Sequence, residues 1–247
     1  MRLLAAALVT FWLLLGSAYA QSARADLNLV IAMDCSWSVN GSEYALQAGG
    51  VSAAFSDPEI LQAIVDGYYG QISVLVVHWS TSGTQKIAIP WTTIATPSDA
   101  IRFANRAARM GRQTVNGGTS ISGALQFSQL AFESAPTRAD RRVIDVIADG
   151  ENNDGNRVES MRDAVVREGT TINALAVINE VGYLHYYLRN RVIGGPGAFV
   201  ERAADYFDFK RAFKKKLLRE IKGNLVTWRL DRSRLARETN SSFPTLQ

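Results

Sequence analysis

The sequence predicts an α/β fold, a doubly wound and mostly parallel central sheet with helices on both faces and one antiparallel edge strand. Short apolar runs at 29–33, 72–77, 143–148 and 171–178 are rich in Val and Ile. Runs of that length read as strands covered on both faces. Segments of helical period fall between them, the alternation that builds a parallel sheet. One stretch, Gln85 to Trp91, alternates apolar and polar residues and follows Ser82-Gly83-Thr84, the composition of a hairpin turn.

In chain order, Leu29 to Met33 forms the first strand and runs into Asp34, Ser36 and Ser38. Asn40 or Ser42 caps a helix to about Phe55, which Gly49-Gly50 is expected to weaken. Asp57-Pro58 starts a second helix, ended by Gly67 or Gly70. The second strand and the hairpin strand follow, then a helix opened by Pro97 with Ile101, Ala104 and Ala107 on its apolar side. A loop from Gly111 to Gly118 leads to Thr119 or Ser120, either of which can cap a long helix ended by Pro136-Thr137. The third strand, Val143 to Ala148, ends at Asp149-Gly150. Helix 157–168, strand 171–178, a short helix 183–191 and a glycine-rich turn at 194–197 come next. The last helix is expected from about Ala203 to Lys222, with Phe209, Phe213, Leu217 and Ile221 as its apolar stripe.

The termini stand apart. Arg2, an apolar run from Leu3 to Leu15 and an Ala-x-Ala end at residue 20 describe a secretory signal peptide, too short for a membrane span. Export to the periplasm or the medium is therefore expected, with residues 26–222 as one domain and 223–247 as a basic tail. Cys35 is the sole cysteine, so no intramolecular disulfide forms and the core must hold the fold. From Lys210 onward eleven Lys or Arg face three acids, although the whole chain is only +4. No nucleic-acid partner is expected for an exported chain. A solvated basic helix face is the commonest explanation, with contact to an anionic membrane surface as runner-up.

The candidate chemistry lies at strand ends, where ligands gather in open α/β sheets. Asp34, Ser36 and Ser38 follow the first strand, Thr119 the Gly-Gly pair, and Asp149 the third strand. Two carboxylates and three hydroxyls make a hard-oxygen donor set suited to magnesium, which keeps some positions for water or an incoming oxygen. Cys35, Trp37, Gly118, Gly150 and Glu151 surround the set as further ligands or supporting neighbours. Cys35 reads most simply as a small apolar filler, and Trp37 as a ring packed over the loop rather than presented to a partner.

Asp34-x-Ser36-x-Ser38, Thr119 after Gly-Gly, and Asp149-Gly150 resemble the metal-ion-dependent adhesion site of von Willebrand factor A domains. The stretches Gly117 to Leu125 and Asn190 to Phe199 also resemble an exported bacterial single-domain family of unknown function. The resemblance implies Mg2+ (or Mn2+) held between three loops, with Ser36, Ser38 and Thr119 as hydroxyl ligands. Asp34 and Asp149 would be direct or water-mediated ones. It further implies a binding module whose protein partner offers an exposed acidic residue to the ion. Cys35 and Trp37 depart from the small residues usual in that motif.

Enzymatic readings have less behind them. Only His78 and His185 are present, and no glycine-flanked elbow serine accompanies them. Ser36 stands where an aspartyl phosphotransferase would carry a second acid, and there is no nucleotide P-loop. A metal-assisted hydrolase and a structural domain with a non-functional site remain the alternatives.

Overall fold

Backbone pairing turns the apolar runs into one sheet. The computed structural model describes residues 23–114 and 117–223; the expected signal peptide, and all of the basic tail but Gly223, lie outside them. The chain runs β1 (Arg24–Ala25), β2 (Leu27–Asp34), α1 (Gly41–Phe55), α2 (Pro58–Val65), β3 (Ile72–Trp79), β4 (Lys86–Ile94), α3 (Pro97–Arg109) and α4 (Ile121–Ala131). It continues through β5 (Arg138–Ala139), β6 (Arg142–Ala148), α5 (Val158–Arg167), β7 (Thr170–Val177), α6 (Leu184–Tyr187), β8 (Val200–Ala203) and α7 (Phe209–Lys222). The main sheet has the order β4-β3-β2-β6-β7-β8, with β4 antiparallel to β3 and every other pair parallel. Winding thus goes outward from β2 to β4, returns to β6 and proceeds to β8. The reversal falls between β2 and β6, which is where such sheets bind ligands.

β2 and β3 are buried along their whole length, as strands sandwiched between helices must be. Leu29, Ile31 and Met33 join the core beneath α1, α2, α3 and α7. Val30 and Ala32, pointing the other way, join the core beneath α4, α5 and α6. The hairpin strand is an edge strand as expected, with Ile87 exposed.

The C-terminal segment differs from expectation. Ala203 does not open the last helix; it ends β8, paired with Val177. A turn then occupies residues 204–208, closed by Ala204 N–H donating to Asp208 Oδ2 (3.0 Å) and Asp208 N–H to Asp205 Oδ1 (2.8 Å). Val-Glu-Arg-Ala is too short and too polar to announce a strand. The expected stripe Phe209, Phe213, Leu217 and Ile221 is buried, and its cationic flank meets Asp57, Glu59, Glu201 and Asp208. Unannounced in the pattern, Lys216 is also buried, 2.5 Å from both Asp145 of β6 and Glu220. Asn173 of β7 donates to Glu220 Oε1 (2.8 Å). Buried charges persist only when paired in this way, so α7 is tied to the sheet by ions as well as by its apolar stripe.

The two glycines of α1 have opposite roles. A Cβ on Gly50 would stand 2.5 Å from Phe209 Cδ1, whereas one on Gly49 would meet nothing within 4 Å. Gly50 is therefore the seat of α7 rather than a weak point in α1. Gly49→Ala is expected to stabilise the protein by about 0.5–1 kcal/mol through helix propensity. Gly50→Ala is expected to destabilise it by about 1–3 kcal/mol through overpacking. Urea unfolding of both variants checks the pair; equal shifts in one direction would contradict the packing.

Candidate metal centre

The ends of β2 and β6 bring Asp34 and Asp149 together out of water; they are 1% and 2% exposed. Ser36 N–H donates to Asp34 Oδ1 (2.7 Å), the turn that an aspartate makes with its own backbone two residues on. That turn folds Ser36 and Ser38 towards one point, their hydroxyls 3.1 Å apart. Ser38 Oγ donates to Asp149 Oδ1 (2.7 Å), joining the first loop to the third. Asp34 Oδ2 is buried and has no hydrogen-bond partner. Burial first, and then the neighbouring Asp149 carboxylate, push the Asp34 carboxyl up to about 8.

Thr119 is buried in the second loop and held by Asn153 in a reciprocal clamp. Its N–H donates to Asn153 Oδ1 (2.8 Å), and Asn153 N–H donates to Thr119 O (2.9 Å). A Cβ on Gly150 would lie 3.8 Å from Thr119 Oγ1, and one on Gly118 would crowd Asn153 and Asp154. Gly118 thus lets the second and third loops close on each other, whereas position 150 has room for a side chain. The α4 cap is Ser120, whose Oγ accepts from Gly123 N–H (3.3 Å), so Thr119 is spared that duty. Trp37 N–H donates to Gly117 O (3.0 Å), fixing the first loop to the second.

The remaining candidates are placed differently. Cys35 packs into the core under α1, and burial pushes its thiol up to about 12. Trp37 is 78% exposed. The expectation of a ring packed over the loop is therefore corrected: its neighbours Ser36 and Ser38 turn inward, which turns residue 37 out. Glu151 lines a cleft with Asn156, Glu159, Tyr187 and Arg191 and makes no bond to the donor set among the described residues.

Two site residues carry no motif signal. Tyr206, buried in the turn before α7, donates from its hydroxyl to Asp149 Oδ2 (2.9 Å). Arg112 lies across the back of the first loop, donating to Val39 O (2.8 Å), Ser36 O (2.8 Å) and Cys35 O. Arginine in a glycine-rich loop and tyrosine in a supposed helix look like surface residues; only tertiary folding brings them here. Asp154 Oδ2 adds a further tie, accepting from Thr81 Oγ1 and from Ser82 N–H (2.5 Å).

The residues fit a hard cation. All five side chains present oxygens, Asp34 Oδ2 is left bare, and two adjacent buried carboxylates need a positive charge between them. A serine hydroxyl that donates to a carboxylate, as Ser38 does, still has lone pairs for a cation.

Strand order, helix layers and three loops converging at the reversal point define a von Willebrand A-type fold. Three solved structures illustrate the likeness. Proximal thread matrix protein 1 from the mussel byssus, with zinc occupied MIDAS motif, has TM-score 0.57 at 16% identity, covering 81% of this chain and 49% of that one. The von Willebrand factor type A protein from Catenulispora acidiphila has TM-score 0.53 at 14% identity, covering 80% and 43%. The conserved hypothetical protein BatB from Bacteroides thetaiotaomicron has TM-score 0.52 at 16% identity, covering 80% and 100%. The chain thus spans about half the length of the mussel protein. Within this class, the chain belongs to the family described as "Protein of unknown function (DUF1194)", whose model matches residues 24–225. No curated protein matches it.

Behind the site, His78 is fully buried; its Nδ1 accepts from Gln113 N–H (3.3 Å), which places the ring proton on Nε2, 3.5 Å from Tyr44 Oη. Burial, helped by Arg112, holds its pKa down from 6.5 to about 4. A histidine with a depressed folded pKa favours the unfolded chain as acid is added, because only the unfolded ring takes the proton. The contribution of this residue to stability should therefore be lost as pH drops from 6.5 to about 4, about 3 kcal/mol in total. His78→Asn keeps an acceptor for Gln113 and should flatten that part of the profile in urea titrations at stepped pH. An unchanged slope would contradict the assignment.

Proposed function

We propose that this protein is an exported binding module that holds Mg2+ or Mn2+ at Asp34, Ser36, Ser38, Thr119 and Asp149 and engages a protein partner through an acidic side chain. The observation that carries this reading is the bare, buried Asp34 Oδ2 beside Asp149 and two hydroxyls. When bound, the ion supplies a Lewis-acidic position that a carboxylate from outside can occupy. The chain's own residues do the rest. Arg112 and Asn153 hold the loops by their backbones, and Ser38 and Tyr206 orient Asp149; Asp34 would meet the charge of a bound cation.

Export rests on the leader-like residues 1–20. Binding is favoured over catalysis by the state of the possible bases and nucleophiles. His78 is engaged with Gln113 and Tyr44, His185 lies tilted against Tyr186, and Ser120 caps α4. The zinc-occupied site named for the mussel protein is consistent with a divalent ion in this fold.

Thermal and urea unfolding with and without Mg2+ or Mn2+ tests the reading. At a metal concentration about a hundredfold above Kd, stability should rise by about 2.7 kcal/mol. Asp34→Asn and Thr119→Ala should abolish or sharply reduce that gain. An unfolding curve for the parent protein that ignores both metals would sink the proposal.

A further inference from the structure

Two carboxylates and one lysine are sealed between β6, β7 and α7. The side chains of Lys216, Asp145 and Glu220 are all fully buried. Lys216 Nζ donates to Glu220 Oε1 (2.5 Å) and lies equally close, 2.5 Å, to Asp145 Oδ1. Yet neither Asp145 oxygen has a hydrogen-bond partner among the described residues. The lysine therefore presses on that carboxyl without the alignment of a hydrogen bond. The surrounding contacts hold the three groups in place and keep water out. Asn173 of β7 donates to Glu220 Oε1 (2.8 Å) and accepts from Phe199 N–H (3.1 Å). The Phe199 ring centre lies 5.6 Å from Lys216 Nζ and 3.7 Å from the Arg219 guanidinium. Arg141, close by, gives its guanidinium to the Glu220 and Ile221 carbonyls (2.7 and 2.9 Å) rather than to the carboxylates.

Burial holds the Asp145 carboxyl well above the ordinary carboxylate range, against the pull of Lys216 and with help from Glu220. In so dry a site the neutral pair, an amine beside a carboxylic acid, competes with the ion pair. Those are the two forms that condense to an amide, and fixed contact replaces the collision that the reaction needs in solution. We propose that Lys216 and Asp145 join in an isopeptide bond, with Glu220 as general base and then general acid. A proton first moves from the Lys216 ammonium to the Asp145 carboxylate. Lys216 Nζ then adds to Asp145 Cγ, and its proton passes to Glu220, which delivers it to the departing hydroxyl. A C–N bond forms, a C–O bond breaks and one water leaves, so no oxidant or activating group is needed. The bond closes the chain between β6 and α7 into a covalent loop, a brace that a chain with one cysteine cannot take from a disulfide of its own. It is independent of the metal centre.

Mass spectrometry of the purified, then denatured, full chain tests the bond. The protein should weigh one water less than its sequence counted from its amino terminus. Trypsin should yield residues 143–157 joined to residues 216–219, with no cleavage after Lys216. Glu220→Gln, shown to be folded by a cooperative urea transition, should have its full sequence mass, and so should Lys216→Met. The parent mass and the peptide map decide the matter even where a variant does not fold. A parent protein of full mass, or a missing water that maps to another pair of residues, would overturn the proposal. Glu220→Gln cross-linked as completely as the parent would remove the acid–base role given to Glu220.

Discussion

Two carboxylates held side by side away from water set the terms for the upper end of this domain. β2 and β6 are adjacent strands, about 4.8 Å apart, and each delivers an aspartate at its carboxyl end. Like charges so placed do not both ionise freely without compensation. The protein supplies part of it: Ser36 N–H serves Asp34, and Ser38 and Tyr206 serve both oxygens of Asp149. It leaves Asp34 Oδ2 with nothing. A buried anionic oxygen without a donor is costly in any fold, and a cation among hydroxyl oxygens is the chemistry that relieves it.

The loops around that pair are held by the chain's own side chains. Arg112 spends its guanidinium on three carbonyls of the first loop, Asn153 clamps Thr119, and Asp154 ties the third loop to Thr81 and Ser82. None of these side chains adds an oxygen to the proposed donor set. They fix the backbone so that small residues can point inward, which is the condition for a site of modest charge to bind tightly. Outward-facing Trp37 is the geometric complement of that inward turn, because alternate residues of a fixed loop cannot all face the same way.

Much of this was legible in the sequence because period and burial speak plainly where a strand is covered on both faces. The apolar runs at 29–33, 72–77 and 143–148, the hairpin edge and the position of Asp34 and Asp149 at strand ends needed no tertiary information. What escaped was non-local. Val200 to Ala203 is half polar and four residues long, so its pairing with β7 is visible only in the fold. Tyr206 and Arg112 act across 57 and 77 residues of sequence at their farthest, and no local pattern encodes such a partner. Gly50 reads as a helix breaker until Phe209 is seen against it, and Lys216 reads as surface until Asp145 is found at the other end. Trp37 was misjudged by a general tendency of aromatic rings, which the inward pull of Ser36 and Ser38 overrides.

Crystals of the full chain grown with Mn2+ and measured for anomalous scattering address the central claim most directly. The account predicts one peak enclosed by Asp34, Ser36, Ser38, Thr119 and Asp149, with the Ser36 and Ser38 oxygens at about 2.1 Å, as hard six-coordinate cations of this size require. Density for Asp34 and Asp149 with no peak between them, or a manganese bound elsewhere while the two carboxylates share a proton, would contradict it.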